Sequence, residues 1–241
     1  PAFINMVYLG IMVTDQGIPL VDPYNSAFFG ELAREIQKNG YDLMLHYIKD
    51  YSEVNYCLKS WKVAGAVFIG SFDDNIRQIQ EDNHIPLVFI GPEAIGNGVI
   101  MHRLQGFCSY LREAGIQLPS EHIINLTGQN IEDILKMLKK APHPVTGIFT
   151  TADNCAFEIY GAAYRLGYRI PEDFSVIGFD DNSMSRRAIP PLTTIRQDIC
   201  QKAQLACQML MKKIEDAKSP AENIILDVDL IERESVLDLS L

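Results

Sequence analysis

Short apolar runs alternate with longer amphipathic stretches along this chain, a pattern that predicts strands and helices in turn. Residues 5–13 are apolar almost throughout, as in a strand covered on both faces. A polar loop through Asp15 and Pro19 leads to a helix that Asn25 or Ser26 can cap, with Phe29, Leu32, Ala33 and Ile36 on its apolar face. Gly40 ends that helix, and 41–47 reads as the second strand. The series continues with a helix from Ser52 that turns Val54, Leu58 and Trp61 inward, a strand at 64–70, a helix at 73–81 and a strand at 86–91. Beyond a loop at 92–98, a helix carries Leu104, Phe107 and Leu111 inward and stops at Gly115. A strand at 122–126, a helix at 131–139, a strand at 147–150 and a helix from Asp153 or Asn154 to Gly167 follow. Then come a short buried strand at 175–179, a strand at 193–195, a long helix capped by Asp198 and broken near Pro220, and a final strand at 223–231.

Strands that alternate with helices at this spacing predict parallel sheets with helices on both faces, joined by right-handed crossovers. The first half is thus a doubly wound α/β sheet. Because the alternation repeats without a fixed period, two similar lobes are expected.

Composition narrows the function classes. A chain of 241 residues with 47% hydrophobic and 22% charged residues buries a sizeable core. No apolar run approaches the roughly 20 residues of a membrane span, and the first residues lack the basic-then-apolar order of a signal peptide. The net charge of −10, without a Lys/Arg run, opposes binding of a polyanion, so these residues are not expected to hold DNA themselves. The five cysteines lack Cys-x-x-Cys spacing, which fits reduced thiols in a cytoplasm better than disulfides or zinc. No nucleophile elbow, phosphate-cradling loop or His-Glu-x-x-His is present, and the histidines lack metal-ligand spacing. Neither catalysis nor a cofactor is expected.

The stretch 175–198 carries the most chemistry. Asp180 and Asp181 follow a buried strand, at the carboxyl end where open α/β sheets bind ligands. Asp180 can accept two hydrogen bonds from sugar hydroxyls or from a purine N–H. Arg103 offers a rigid donor fork that suits paired hydroxyls or a carboxylate. Phe28, with Tyr24, can present an aromatic face to a sugar, although Phe28 fits a core position equally well. Asp153 and Asp181 also suit plain caps of a helix or turn.

Gly178-Phe179-Asp180-Asp181, followed by Pro190-Pro191-Leu192-Thr193-Thr194-Ile195-Arg196-Gln197, resembles the effector domains of the LacI/GalR family of bacterial transcription regulators. Asn25-Ser26-Ala27-Phe28-Phe29, Arg103-Leu104-Gln105-Gly106-Phe107, Thr151-Ala152-Asp153, the approach from Leu166 to Asp173 and the closing Ile231-Glu232-Arg233-Glu234-Ser235 extend the resemblance along nearly the whole chain. It implies two periplasmic-binding-protein-like lobes, 1–90 plus 195–221 and 91–194 plus 222–241, joined by crossover strands. It further implies a homodimer, paired through 54–61 and 73–85, and an interlobe cleft for a small sugar, sugar derivative or purine. By position in the family, Asp15, Asp153 and Gln197 join Tyr24, Phe28, Arg103 and Asp180 as ligand-binding residues. Operator DNA would be reached only through the family's N-terminal helix-turn-helix, which these residues do not include. The chain also departs from the family by lacking a strand–helix–strand unit of roughly 30 residues between Gly91 and Arg103, and by carrying Ala152 in place of Asn. The competing classes are an extracytoplasmic sugar-binding protein of a transporter and an α/β enzyme. The Pro-Pro-Leu-Thr-Thr context and the thiols weigh against the first, and the missing catalytic constellation against the second.

Overall fold

The computed structural model describes residues 2–9, 22–48, 52–60, 63–70, 79, 81–90, 99–126 and 128–238. The chain divides into two compact units, Pro1–His102 with Asp198–Leu226, and Arg103–Gln197 with Asp227–Leu241. Its described helices are α1 (Pro23–Lys38), α2 (Ser52–Ser60), α3 (Val99–Glu113), α4 (Ile131–Lys140), α5 (Asp153–Leu166) and α6 (Ile199–Glu215).

The first unit holds β1 (Ala2–Leu9), β2 (Tyr41–Ile48), β3 (Gly65–Gly70) and β4 (Leu87–Ile90), all parallel and ordered β2-β1-β3-β4. With β1 inside that order, the chain winds first to one side and then to the other, as a doubly wound sheet requires. β3 shows why its sequence is apolar without a break. Val67 and Ile69 pack with Phe28, Leu32 and Ile36 of α1 and with Ala203, Cys207 and Leu210 of α6. Ala66 and Phe68, on the opposite face, pack with Val54 and Leu58 of α2. Both faces are covered, so both alternating sets must be apolar. At Gly65 a Cβ would lie 2.9 Å from Leu210 Cδ1 and 3.0 Å from the Pro86 carbonyl, so only glycine lets strand and helix approach this closely.

The cap of α1 differs from expectation. Neither Asn25 nor Ser26 serves; the Asp22 carboxylate accepts the Asn25 N–H at 2.9 Å, and Pro23 takes the first helical position, where no N–H is needed. Asp198 caps α6 through the Gln201 N–H at 2.9 Å, as its place before the apolar pattern predicts. Residues 10–13 of the first predicted strand, Trp61, and nearly all of the predicted helix 73–81 lie outside the described residues.

The second unit holds β5 (Gly147–Phe149), β6 (Ser175–Asp180), β7 (Thr193–Gln197) and β8 (Val228–Ile231), ordered β5-β6-β7-β8. Its core joins Ile134, Leu135 and Leu138 of α4 to Ala156, Ile159, Ala162 and Ala163 of α5, with Phe174, Val176 and Leu192. β5, β6 and β7 are parallel, whereas β8 runs antiparallel to β7. A parallel edge strand would need a crossover over this sheet, but the helix before β8, α6, packs in the first unit. The predicted strand at 122–126 does not form. Ile124 and Leu126 pack on the core while Ile123 and Asn125 face outward, so the alternation survives without ladder bonds. Among the described residues no strand pairs with this segment, and alternation alone cannot supply a partner.

Leu210 is fully buried between α1 and β3. Leu210→Ala should therefore cost about 2–5 kcal/mol, read from urea unfolding. A midpoint unchanged from the parent chain would show that α6 is not part of this core.

Candidate ligand-binding site

The polar cluster lies at the carboxyl end of β6, where Val176, Gly178 and Asp180 form the buried set of an alternating strand. Gly178 is required there. A Cβ on it would come 2.2 Å from Asp153 Oδ1, 2.9 Å from Leu192 Cδ2 and 3.2 Å from Thr194 Oγ1. Asp153, the first residue of α5, fills that space with no exposed surface. Its Oδ1 accepts the Thr194 hydroxyl at 2.5 Å, and its Oδ2 accepts the Ser185 hydroxyl at 2.6 Å and the Asn182 N–H at 2.8 Å. Burial pushes the Asp153 carboxyl above its ordinary value, and these hydrogen bonds oppose the rise.

The backbone turns sharply just beyond. Asp180 has φ 117° and Asp181 φ 49°, values rare for residues with a Cβ. Asp180 Oδ1 meets Arg103 Nη2 at 3.0 Å and accepts from Gln197 Nε2 at 2.8 Å. Arg103 is fixed on two further sides. Its Nη1 donates to the Thr151 carbonyl at 2.5 Å, and its Cζ sits 3.9 Å above the Phe179 ring, a cation–π contact. Burial pushes the Asp180 carboxyl up to about 6, with the Arg103 guanidinium pulling it down and the Asp153 charge adding to the rise.

Asp181 is held differently. Its Oδ1 accepts from Arg233 Nη2 at 2.5 Å and its Oδ2 from Arg196 Nε at 2.7 Å, while Arg233 Nη1 donates to the Leu192 carbonyl at 2.7 Å. The Ser235 hydroxyl ties the same tail to the sheet, accepting the Thr193 N–H at 2.8 Å and donating to the Val176 carbonyl at 2.6 Å.

Of the residues singled out from sequence, Arg103, Asp180 and Gln197 come together. Asp153 lies beside them, enclosed, with both oxygens engaged by the chain's own donors. Tyr24 and Phe28 belong to the first unit. The Tyr24 hydroxyl accepts from Lys202 Nζ at 3.0 Å, and Phe28, 2% exposed, takes the core place of its two readings, packed with Phe29, Leu32 and Ile36. Its helix face is the one that covers the sheet, so its ring is an interior surface. Asp15 lies outside the described residues. Arg196, Arg233, Ser185 and Thr194 were not foreseen. The signal for the arginines was the doubled carboxylate itself, since adjacent charges at a buried strand end need cations. Among the described residues no group of three or more His, Cys, Asp or Glu is placed to hold a metal ion, and no helix is long and apolar enough to cross a membrane.

The arrangement of a carboxylate, a guanidinium and an amide at the carboxyl ends of β6 and β7 offers acceptors and donors to a small polar molecule. A model of the periplasmic binding protein-like domain matches residues 77–236. The HTH-type transcriptional repressor PurR of Photorhabdus laumondii is 31% identical over 207 residues, covering 81% of this chain and 60% of that protein. Among solved structures, a LacI family transcriptional regulator from Enterococcus faecium with bound ribose superposes with a TM-score of 0.77 at 20% identity, over 96% of this chain and 98% of that one. The Lac repressor dimer bound to operator and the anti-inducer ONPF gives a TM-score of 0.77 at 19% identity, over 99% of this chain and 95% of that one. The chain belongs to the periplasmic binding protein-like domain family. It spans 60% of the length of the curated relatives it matches.

Asp180 links this site to pH. Its folded value of about 6 lies above the roughly 3.9 of an unfolded aspartate, so the folded chain holds this proton more tightly. The cost of burying the charge is present above about pH 6, and it is relieved as pH falls towards the unfolded value. Urea unfolding of the parent chain and Asp180→Asn between about pH 4 and 7 reads this residue with its coupling to Asp153, because carboxylates that do not interact with Asp180 cancel in the difference. The gap should move in the variant's favour as pH rises; a gap independent of pH would contradict the raised value.

Proposed function

We propose that this chain senses a small sugar-like or purine-like effector for a LacI-type transcription regulator, and that Arg103, Asp180 and Gln197 contact that effector. The observation that carries the reading is the Arg103–Asp180–Gln197 cluster at the carboxyl end of β6. Among the described residues the contacts to the Asp180 carboxylate fall on Oδ1, and on this reading Oδ2 is the oxygen offered to a ligand hydroxyl or ring N–H. Arg103, pinned against Phe179 and the Thr151 carbonyl, presents its fork at little entropic cost. Ribose bound to the structural neighbour from Enterococcus faecium supports the sugar alternative, and the similarity to PurR repressors keeps purines in the set to be tested.

The regulatory role follows the same relatives. A net charge of −10 opposes DNA contact by these residues, and on this reading the chain works as a cytoplasmic homodimer whose effector changes how the DNA-binding part of the regulator meets operator DNA. The coupling between the two binding events would be about 1–3 kcal/mol.

Calorimetric titration with D-ribose and a panel of purine bases tests the site. Asp180→Ala should remove charge-assisted hydrogen bonds worth about 1.5–3 kcal/mol, a loss of roughly ten- to hundredfold in affinity. Arg103→Lys should also weaken binding, because an ammonium cannot present the fork. Unchanged affinity in both variants would move the site elsewhere.

A further inference from the structure

The strained turn after β6 needs something to hold it. Asp180 at φ 117° and Asp181 at φ 49° are conformations that side-chain-bearing residues keep only when their surroundings over-determine them. Asp180 ends the β6 ladder opposite Arg196, and the contacts to its carboxylate come from long, rotatable partners. The firm restraints act one and two residues later. Arg233 and Arg196 grip the two oxygens of Asp181, whose side chain is 4% exposed, and Asp153 accepts the Asn182 N–H. Arg233 is in turn anchored by its Nη1 on the Leu192 carbonyl and its own N–H on the Thr193 hydroxyl. The closing tail thereby reaches the same turn that carries Asp180.

The geometry points to Asp181, Arg233 and Arg196 as positioning residues: the contacts of the two arginines to the two Asp181 oxygens fix the turn so that the Asp180 carboxylate faces Arg103 and Gln197. The inference rests on Asp180 being a ligand-contacting residue, but the test below needs no ligand, so the failure of either stays distinguishable from the other. Without the clamp, the turn relaxes towards ordinary backbone angles and the Asp180 carboxylate swings towards water. The groups that face Asp180 are Arg103 from α3, Asp153 and Cys155 from α5 and Gln197 from β7. None of them is altered by a change at Arg233. Arg233→Lys also keeps the positive charge and removes only the fork, so any change at Asp180 reports position and not net charge.

The experiment is carbon-13 carboxyl NMR of the whole 241-residue chain, following the titration of Asp180 in the parent and in Arg233→Lys. In the parent the midpoint should lie at about 6. In Arg233→Lys it should fall by about one pH unit or more, towards the ordinary aspartate range. A folded Arg233→Lys with an unmoved Asp180 midpoint overturns the proposal. Should that variant not fold, Arg196→Gln answers the same question, because the Arg196 side chain is 45% exposed. Loss of a cation alone raises a carboxyl, so a fall in Arg196→Gln reports movement, and an unmoved or raised midpoint overturns the proposal. Arg165→Gln, which breaks an ion pair with Glu132 in the same unit, controls for general loosening. It should leave Asp180 where it is, and an equal fall there would count against the clamp.

Discussion

A carboxylate with no exposed surface, Asp153, organises the second unit's polar edge. It links three segments that are distant in sequence: the start of α5, the turn that contains Asn182 and Ser185, and Thr194 of β7. Gly178 is bare so that this carboxylate can lie against β6. Removing such a charge from water is costly, and three hydrogen bonds from two hydroxyls and one amide offset that cost only in part, which is why the carboxyl is shifted upward. The apolar core beneath, from Ala156 to Phe174, could be satisfied by many sequences of similar volume. The buried carboxylate requires its own hydroxyl partners in place.

Around it, charge is balanced locally. Asp180 and Asp181 are adjacent at the end of β6 with Asp153 of α5 beside them, and Arg103, Arg196 and Arg233 meet Asp180 and Asp181. Among the described residues Asp153 has no cation and relies on dipoles, whereas Asp181 has two and is the most firmly held. Asp180 shares one oxygen between Arg103 and Gln197 and, on the proposed reading, is the carboxylate that exchanges partners with a ligand. The same strand end thus separates a structural carboxylate from one suited to recognition, by environment and not by residue type.

Much of this was legible in the sequence. The alternation of apolar runs and amphipathic stretches gave the two α/β units, and the segment from Gly178 to Gln197 gave Asp180, Gln197 and the family. Arg103 followed from its Arg-x-x-Gly-Phe setting. The rest depended on partners that no local pattern reveals. The segment 122–126 alternates correctly yet pairs with no described strand, and β8 runs antiparallel because its preceding helix packs in the other unit. Asp22 displaces Asn25 as the cap because Pro23 sets the first helical residue. The grip of Arg233 on Asp181 spans 52 residues of sequence and is a product of tertiary structure alone. Phe28 was ambiguous for a plain reason: an aromatic on the apolar face of a helix reads alike whether it lines a core or a ligand wall.

Magnetic resonance of the nitrogen-labelled chain during titration with a binding sugar or purine tests the central claim most directly. The Arg103 Nε–H and the Gln197 side-chain amide should shift together and saturate with one dissociation constant, the one measured by calorimetry. Saturable binding that leaves both signals unmoved, while others respond, would place the ligand away from the Asp180 cluster and contradict the account.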